Sequence, residues 1–214
     1  MRTLLLGATG LVGRELLSLL LADPDVERVT VVARRPSGVA HPKLDERVFD
    51  LAELAQHADA FAVDVIFCAL GTTIKQAGSQ ERFRFVDYDL PLEAARLGRA
   101  AGARHYLVVT AQGANAKSRI FYSRVKGELE DALRTIGYPS LTIARPSLLV
   151  GHRTEVRRGE RIAAKLSFLF PPSLKPISAR SVARALVASA HERATGVQIL
   201  DSATMRRRFD DRKQ

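Results

Sequence analysis

Tyr122 and Lys126 stand four residues apart in a stretch, 118–136, whose apolar residues Val125, Leu129, Leu133 and Ile136 recur at helical spacing. On one helix the phenol and the ammonium share a face. A phenol is a poor acid-base catalyst at neutral pH, but a neighbouring ammonium favours its ionised form and draws its pKa down toward the working range. Proton transfer is the chemistry this pair would do, and the same lysine can hydrogen-bond a ribose and position it. By itself such a pair is more often a surface accident, so its weight depends on the elements that place it.

The first of those elements is the run Leu4-Leu5-Leu6-Gly7-Ala8-Thr9-Gly10-Leu11-Val12-Gly13. A strand of a parallel sheet is buried on both faces, so 4–6 can be continuously apolar, and a helix over 11–22 puts Leu16, Leu19 and Leu20 on one side to cover it. The loop between them then lies at the C-terminal edge of the sheet. Gly7 can take turn conformations closed to other residues, Gly10 leaves room for a ligand near the backbone, and Gly13 lets the helix lie close to the strand. The N–H groups and positive end of the helix suit a pyrophosphate. Gly7, Ala8, Thr9, Gly10, Leu11 and Val12 are the expected contacts of a dinucleotide, against the alternative of a plain structural turn.

A second parallel strand is predicted over 26–33, and it ends in Arg34-Arg35-Pro36, where an acidic residue would hold an adenosine ribose and exclude a 2′-phosphate. A guanidinium pair instead holds that phosphate by bidentate, charge-assisted hydrogen bonds, so NADP(H) is expected over NAD(H). The other reading is a solvated arginine pair. Residues 47–49 predict a third strand ending at Asp50, which either accepts the adenine amino hydrogens or caps the turn that follows. Residues 63–70 predict a fourth strand, with Leu70, Gly71 and Thr72 in a loop beside the middle of the cofactor. Cys68, inside that strand, is expected as a small core residue. A long helix over 79–101, with Phe83, Val86, Leu90, Ala94 and Leu97 inward and bent at Pro91, precedes a fifth strand over 105–110. Strands and helices alternate, which predicts an α/β fold, a doubly wound parallel sheet.

Gly7-Ala8-Thr9-Gly10-Leu11-Val12-Gly13 and Tyr122-Ser123-Arg124-Val125-Lys126 resemble the glycine and Tyr-x-x-x-Lys motifs of the short-chain dehydrogenases/reductases, in their atypical branch. Cys68-Ala69-Leu70-Gly71-Thr72-Thr73, the run on to Gly127-Glu128, and Ala144-Arg145-Pro146-Ser147 are similar to the NAD(P)H-binding proteins related to the human Tat-interacting protein. The resemblance covers nearly the whole chain. It implies a Rossmann-type fold that binds NADPH, with Tyr122 as general acid in reduction of a small carbonyl compound and Lys126 as its partner and ribose ligand. It also implies that Pro146 and Ser147, after a sixth strand over 141–145, begin a loop beside the nicotinamide. The family's helper serine falls among Thr110, Ala111 and Gln112, where Thr110 has the needed hydroxyl and either polarises a substrate carbonyl or simply finishes the fifth strand. That departure leaves room for a second reading, an NADPH-binding sensor or regulatory protein with little catalysis.

With 214 residues the chain suits one domain, 1–214, with a small C-terminal substrate portion around 147–180. There Phe168, Leu169 and Phe170 on an amphipathic helix over 160–170, and Arg153, Arg157 and Arg158, are read mainly as ordinary packing and a solvated loop. His152 lacks companions at metal-ligand spacing, and no metal is expected. A helix within 176–190, a last strand over 197–200 and a solvated tail from Met205 complete the reading. One cysteine excludes an internal disulfide and fits a reducing compartment, and no run reaches the length of a membrane span. A cytoplasmic protein is expected, as a monomer or homodimer. The net charge of +10 comes from scattered arginines without interleaved aromatics, so nucleic acid is not an expected partner.

Overall fold

The computed structural model describes residues 1–150, 175–192 and 194–209. Strand β1 (Arg2–Leu6) leads into helix α1 (Leu11–Ala22), then β2 (Arg28–Ala33) and β3 (Leu44–Val48). A 3₁₀ segment, Leu51–Phe61, precedes β4 (Val65–Cys68), which is followed by α2 (Ile74–Ala77), α3 (Gln80–Arg84) and α4 (Leu90–Ala100). Next come β5 (His105–Val109), α5 (Phe121–Thr135) and β6 (Ser140–Arg145). A small pair, β7 (Leu149–Val150) with β8 (Ile177–Ser178), precedes α6 (Ala179–Glu192), β9 (Gly196–Asp201) and α7 (Ser202–Phe209).

Seven strands pair in parallel in the order β3-β2-β1-β4-β5-β6-β9, a Rossmann-type sheet. The chain builds outward from β1 on one side and from β4 on the other. At that switch the loops leaving the two strands diverge, which opens a crevice at their C-terminal ends. Leu4, Leu5 and Leu6 are fully buried because both faces of β1 are covered. On one face α1 and α6 enclose Leu16, Leu20, Val182 and Leu186; on the other, Leu54, Phe61, Ala94, Leu129 and Leu133 form the second core layer.

Three expectations shift in detail. The third strand runs earlier, ending at Val48, and Asp50 caps the 3₁₀ segment by accepting the Ala52 N–H at 3.0 Å. The tail expected to be solvated from Met205 is part of α7, because Met205 is buried in the core and Asp201 accepts the Thr204 N–H at 2.7 Å. The long helix over 79–101 contains a π turn, Phe85–Asp89, before α4, and Pro91 sits in the first turn of α4, where a missing N–H costs little. The wider turn re-phases the helix, so Asp87 rather than Val86 is buried. The expected helix over 160–170, with Phe168, Leu169 and Phe170, and His152, Arg153, Arg157 and Arg158 lie outside the described residues.

Candidate functional site

The glycine loop is fixed by contacts that leave no room for a side chain. Gly7 has φ of 85°, and a Cβ there would lie 2.5 Å from the Ala69 carbonyl oxygen, so the end of β4 rests against the loop. A Cβ on Gly13 would lie 1.9 Å from the Gly7 oxygen, which shows how closely α1 packs on the turn. Ala8 and Val12 bury their side chains in the core, so they can offer a ligand only backbone. Thr9 and Gly10 are exposed, and Leu11 is half-buried. Gly10 is the N-cap of α1 without a side-chain cap, and the first turn holds no acidic residue. Its unsatisfied N–H groups and positive dipole end therefore remain open for an anion, and the cradle fits a dinucleotide's phosphates.

Ala69 begins the second wall. The chain continues through half-buried Leu70 to Gly71 and Thr72, where the Thr72 N–H donates to Asp87 Oδ2 at 2.8 Å. Lys126 Nζ lies 2.8 Å from Asp87 Oδ1 as an ion pair without good hydrogen-bond alignment, and the two side chains are only 4% and 1% exposed. A Cβ on Gly71 would stand 3.4 Å from Asp87 Oδ1 and 3.9 Å from Lys126 Nζ, so the loop lies against the pair. The glycine loop thus connects through Ala69 and Gly71 to Lys126, and one turn away is Tyr122.

Tyr122 is half-buried, with its ring 5.6 Å from that of Phe83. Burial pushes its phenol above the usual value, Lys126 pulls it back, and Asp87 pushes it up again. The expectation of a lowered pKa is corrected: desolvation outweighs the lysine, whose charge also faces Asp87. Cys68 is buried, with its thiol raised by that burial, as a core residue would be.

Thr110 is held elsewhere. Its hydroxyl donates to Glu130 Oε1 at 2.7 Å, both residues are buried, Arg145 donates to both oxygens of the same carboxylate, and Arg134 pairs with its Oε2. With its proton committed, Thr110 does not polarise a substrate carbonyl in this arrangement. Pro146 accepts the Gln112 N–H at 2.8 Å through its carbonyl. The Ser147 hydroxyl meets the Lys175 carbonyl at 2.6 Å and the Ser202 hydroxyl at 2.8 Å, so its side chain is occupied.

Arg34 and Arg35 stand exposed just beyond β2, and among the described residues neither is tied by a hydrogen bond or ion pair. Asp50 is exposed, with one oxygen used in its cap. Sequence reasoning missed Asp87 and Glu130. Asp87 adjoins Val86 in an apolar periodic pattern that a regular helix would leave turned away, and Glu130 faces inward beside Leu129, where a helix surface charge is the ordinary expectation.

Known proteins resemble the chain in family and in fold. Residues 7–193 match a family described as NAD(P)H-binding. The chain is 36% identical over 166 residues to "Protein fmp52, mitochondrial" of Emericella nidulans, covering 74% of this chain and 71% of the relative. It is 35% identical over 173 residues to "Protein HTATIP2" of Rattus norvegicus, covering 79% and 71%. Among solved structures it is similar to the Bordetella bronchiseptica enzyme WbmH in complex with NAD+, with TM-score 0.74, 15% identity and coverage of 98% of this chain and 79% of that one. MoeE5 in complex with UDP-glucose and NAD gives TM-score 0.73 and 16% identity, covering 94% and 75%. The fungal relatives named mitochondrial overturn the cytoplasmic expectation. A lone cysteine speaks for a reducing environment and does not distinguish one compartment from another. Among the described residues no helix is long and apolar enough to cross a membrane.

Proposed function

The chain belongs to the NAD(P)H-binding family, and from that premise we propose that it is an NADPH-dependent oxidoreductase of the atypical short-chain type that reduces a small carbonyl compound. The observation that carries this reading is the unbroken path from the glycine loop through Ala69 and Gly71 to the Lys126–Asp87 pair beside Tyr122. It supports the reading by bringing Tyr122 to the crevice that a dinucleotide's phosphates would enter.

The cofactor, when bound, supplies hydride. The N-terminus of α1 and the backbone of 7–12 hold its phosphates, Leu70, Gly71 and Thr72 its middle section, and Pro146 and the Ser147 backbone the nicotinamide side. Lys126 binds the adjacent ribose, and the exposed Arg34 and Arg35 take the 2′-phosphate. Asp50 retains one carboxylate oxygen for adenine beyond its capping bond. Tyr122 would give its phenolic proton to the substrate's carbonyl oxygen and recover one from water. A neutral phenol suits this donor role.

Thr110 favours a second reading. With its hydroxyl bound to Glu130, Thr110 is not free to be the helper donor a carbonyl reductase would use, as fits a cofactor sensor. The two are separated by titrating the protein with NADPH and NADH and adding aldehydes, ketones and quinones to the complex. Oxidation of bound NADPH by a panel member supports the reductase; tight binding with none supports the sensor; absence of binding removes both.

A further inference from the structure

Asp87 is an acid buried at a centre that already contains a phenol and an ammonium, and the arrangement that brings it there is costly. A π turn is a departure from regular helix that is commonly found at functional sites. An ion pair as buried as Lys126 and Asp87 is rarely more stable than an apolar pair of the same volume, so stability gives little reason for it. Its placement gives a better one.

Resting on the oxidoreductase reading, we propose that Asp87 is a positioning residue: anchored by the Thr72 amide, its carboxylate holds the Lys126 ammonium and sets a negative charge before Tyr122, so that the centre is built to donate a proton. Three observations meet here. The Thr72 N–H donates to one oxygen of the carboxylate and Lys126 Nζ pairs by charge with the other, each at 2.8 Å, so both oxygens are engaged. Gly71 lies against both partners, so the loop proposed to face the cofactor borders the pair. Tyr122 senses the two charges in opposite directions. Lys126 and Tyr122 face the carboxylate from α5, and Cys68, at the end of β4, senses both charges of the pair. Arg84 and Glu128 pair with one another at 2.5 Å on the more exposed side. A lysine left unopposed would favour phenolate, the form that removes a proton from an alcohol. Asp87 offsets that tendency and favours the protonated phenol, the form that donates to a carbonyl oxygen.

The test reads tyrosinate absorbance against pH, each protein being compared with its Tyr122→Phe counterpart to isolate the one phenol. Asp87→Asn keeps the shape and removes the charge, and Tyr122 is expected to ionise about one pH unit lower. Lys126→Met is expected to move it in the opposite direction. A folded Asp87→Asn protein in which Tyr122 ionises where it does in the parent overturns the proposal, whatever its melting temperature. Should that variant not fold, Asp87→Asn with Lys126→Met removes both charges, and it must ionise below Lys126→Met alone; equal midpoints overturn the proposal. The titration needs no cofactor. A parent protein that fails to bind NADPH refutes the oxidoreductase reading and leaves this result intact.

Discussion

Thr110 donates its hydroxyl proton to Glu130 at 2.7 Å, inside a buried cluster that Arg145 closes. The bond joins the end of β5 to α5, and Arg145 at the end of β6 joins the same acid, so the three elements that frame the crevice meet at one carboxylate. Thr110 is therefore a strut. Thr110→Val is expected to cost about 1 kcal/mol of stability in a urea titration, through one lost hydrogen bond, and to leave NADPH affinity unchanged. A hundred-fold loss of turnover with unaltered stability would instead return Thr110 to the substrate.

Tyr122→Phe removes the hydroxyl proposed as the proton donor and little else, because the ring still packs beside Phe83. Turnover of any carbonyl substrate is expected to fall by at least about a hundredfold, with NADPH binding retained. Steady-state rates and a fluorescence titration on the same preparation read both quantities. Retained turnover would count against the acid role.

Arg34 and Arg35 are exposed and untied among the described residues, so replacing both with alanine should leave the fold intact. Each charge-assisted hydrogen bond to a phosphate contributes about 1.5–3 kcal/mol. NADPH affinity is expected to fall at least about tenfold, with NADH affinity unchanged. Equal effects on the two cofactors would remove the 2′-phosphate reading.

Gly13→Ala tests the seat of α1. The new methyl would meet the Gly7 carbonyl, and backbone cannot swing aside as a flexible side chain can. A loss of about 1–3 kcal/mol in stability and of cofactor binding is expected, measured by urea unfolding and by NADPH titration.

His105 gives the protein an acid-sensitive core. It is buried, its Nε2 is 2.8 Å from the Thr142 hydroxyl, and burial lowers its pKa from 6.5 to about 4. Between those values the unfolded chain holds a proton that the folded chain refuses. Its contribution is thus full above pH 6.5 and is lost as the pH falls toward 4, by at most about 3 kcal/mol. Urea midpoints taken from pH 7 to pH 4 should fall more steeply in the parent than in His105→Asn. Parallel slopes would assign the acid sensitivity to other groups.

The sheet was legible because its strands are buried on both faces and read as apolar runs: 4–6, 65–68 and 106–108 could scarcely lie anywhere else. Gly7, Gly10 and Gly13 were legible because close approach of backbone to backbone admits no other residue type, and Tyr122 and Lys126 because a helix converts a spacing of four into a shared face. Local chemistry determined all of these. Asp87, Glu130 and the engagement of Thr110 were decided only in three dimensions. A π turn changes which residue faces inward without altering composition, so a regular period points to Val86. The proton state of Tyr122 likewise depends on how much water the fold removes and on an acid brought from another helix, two quantities that no spacing along α5 contains.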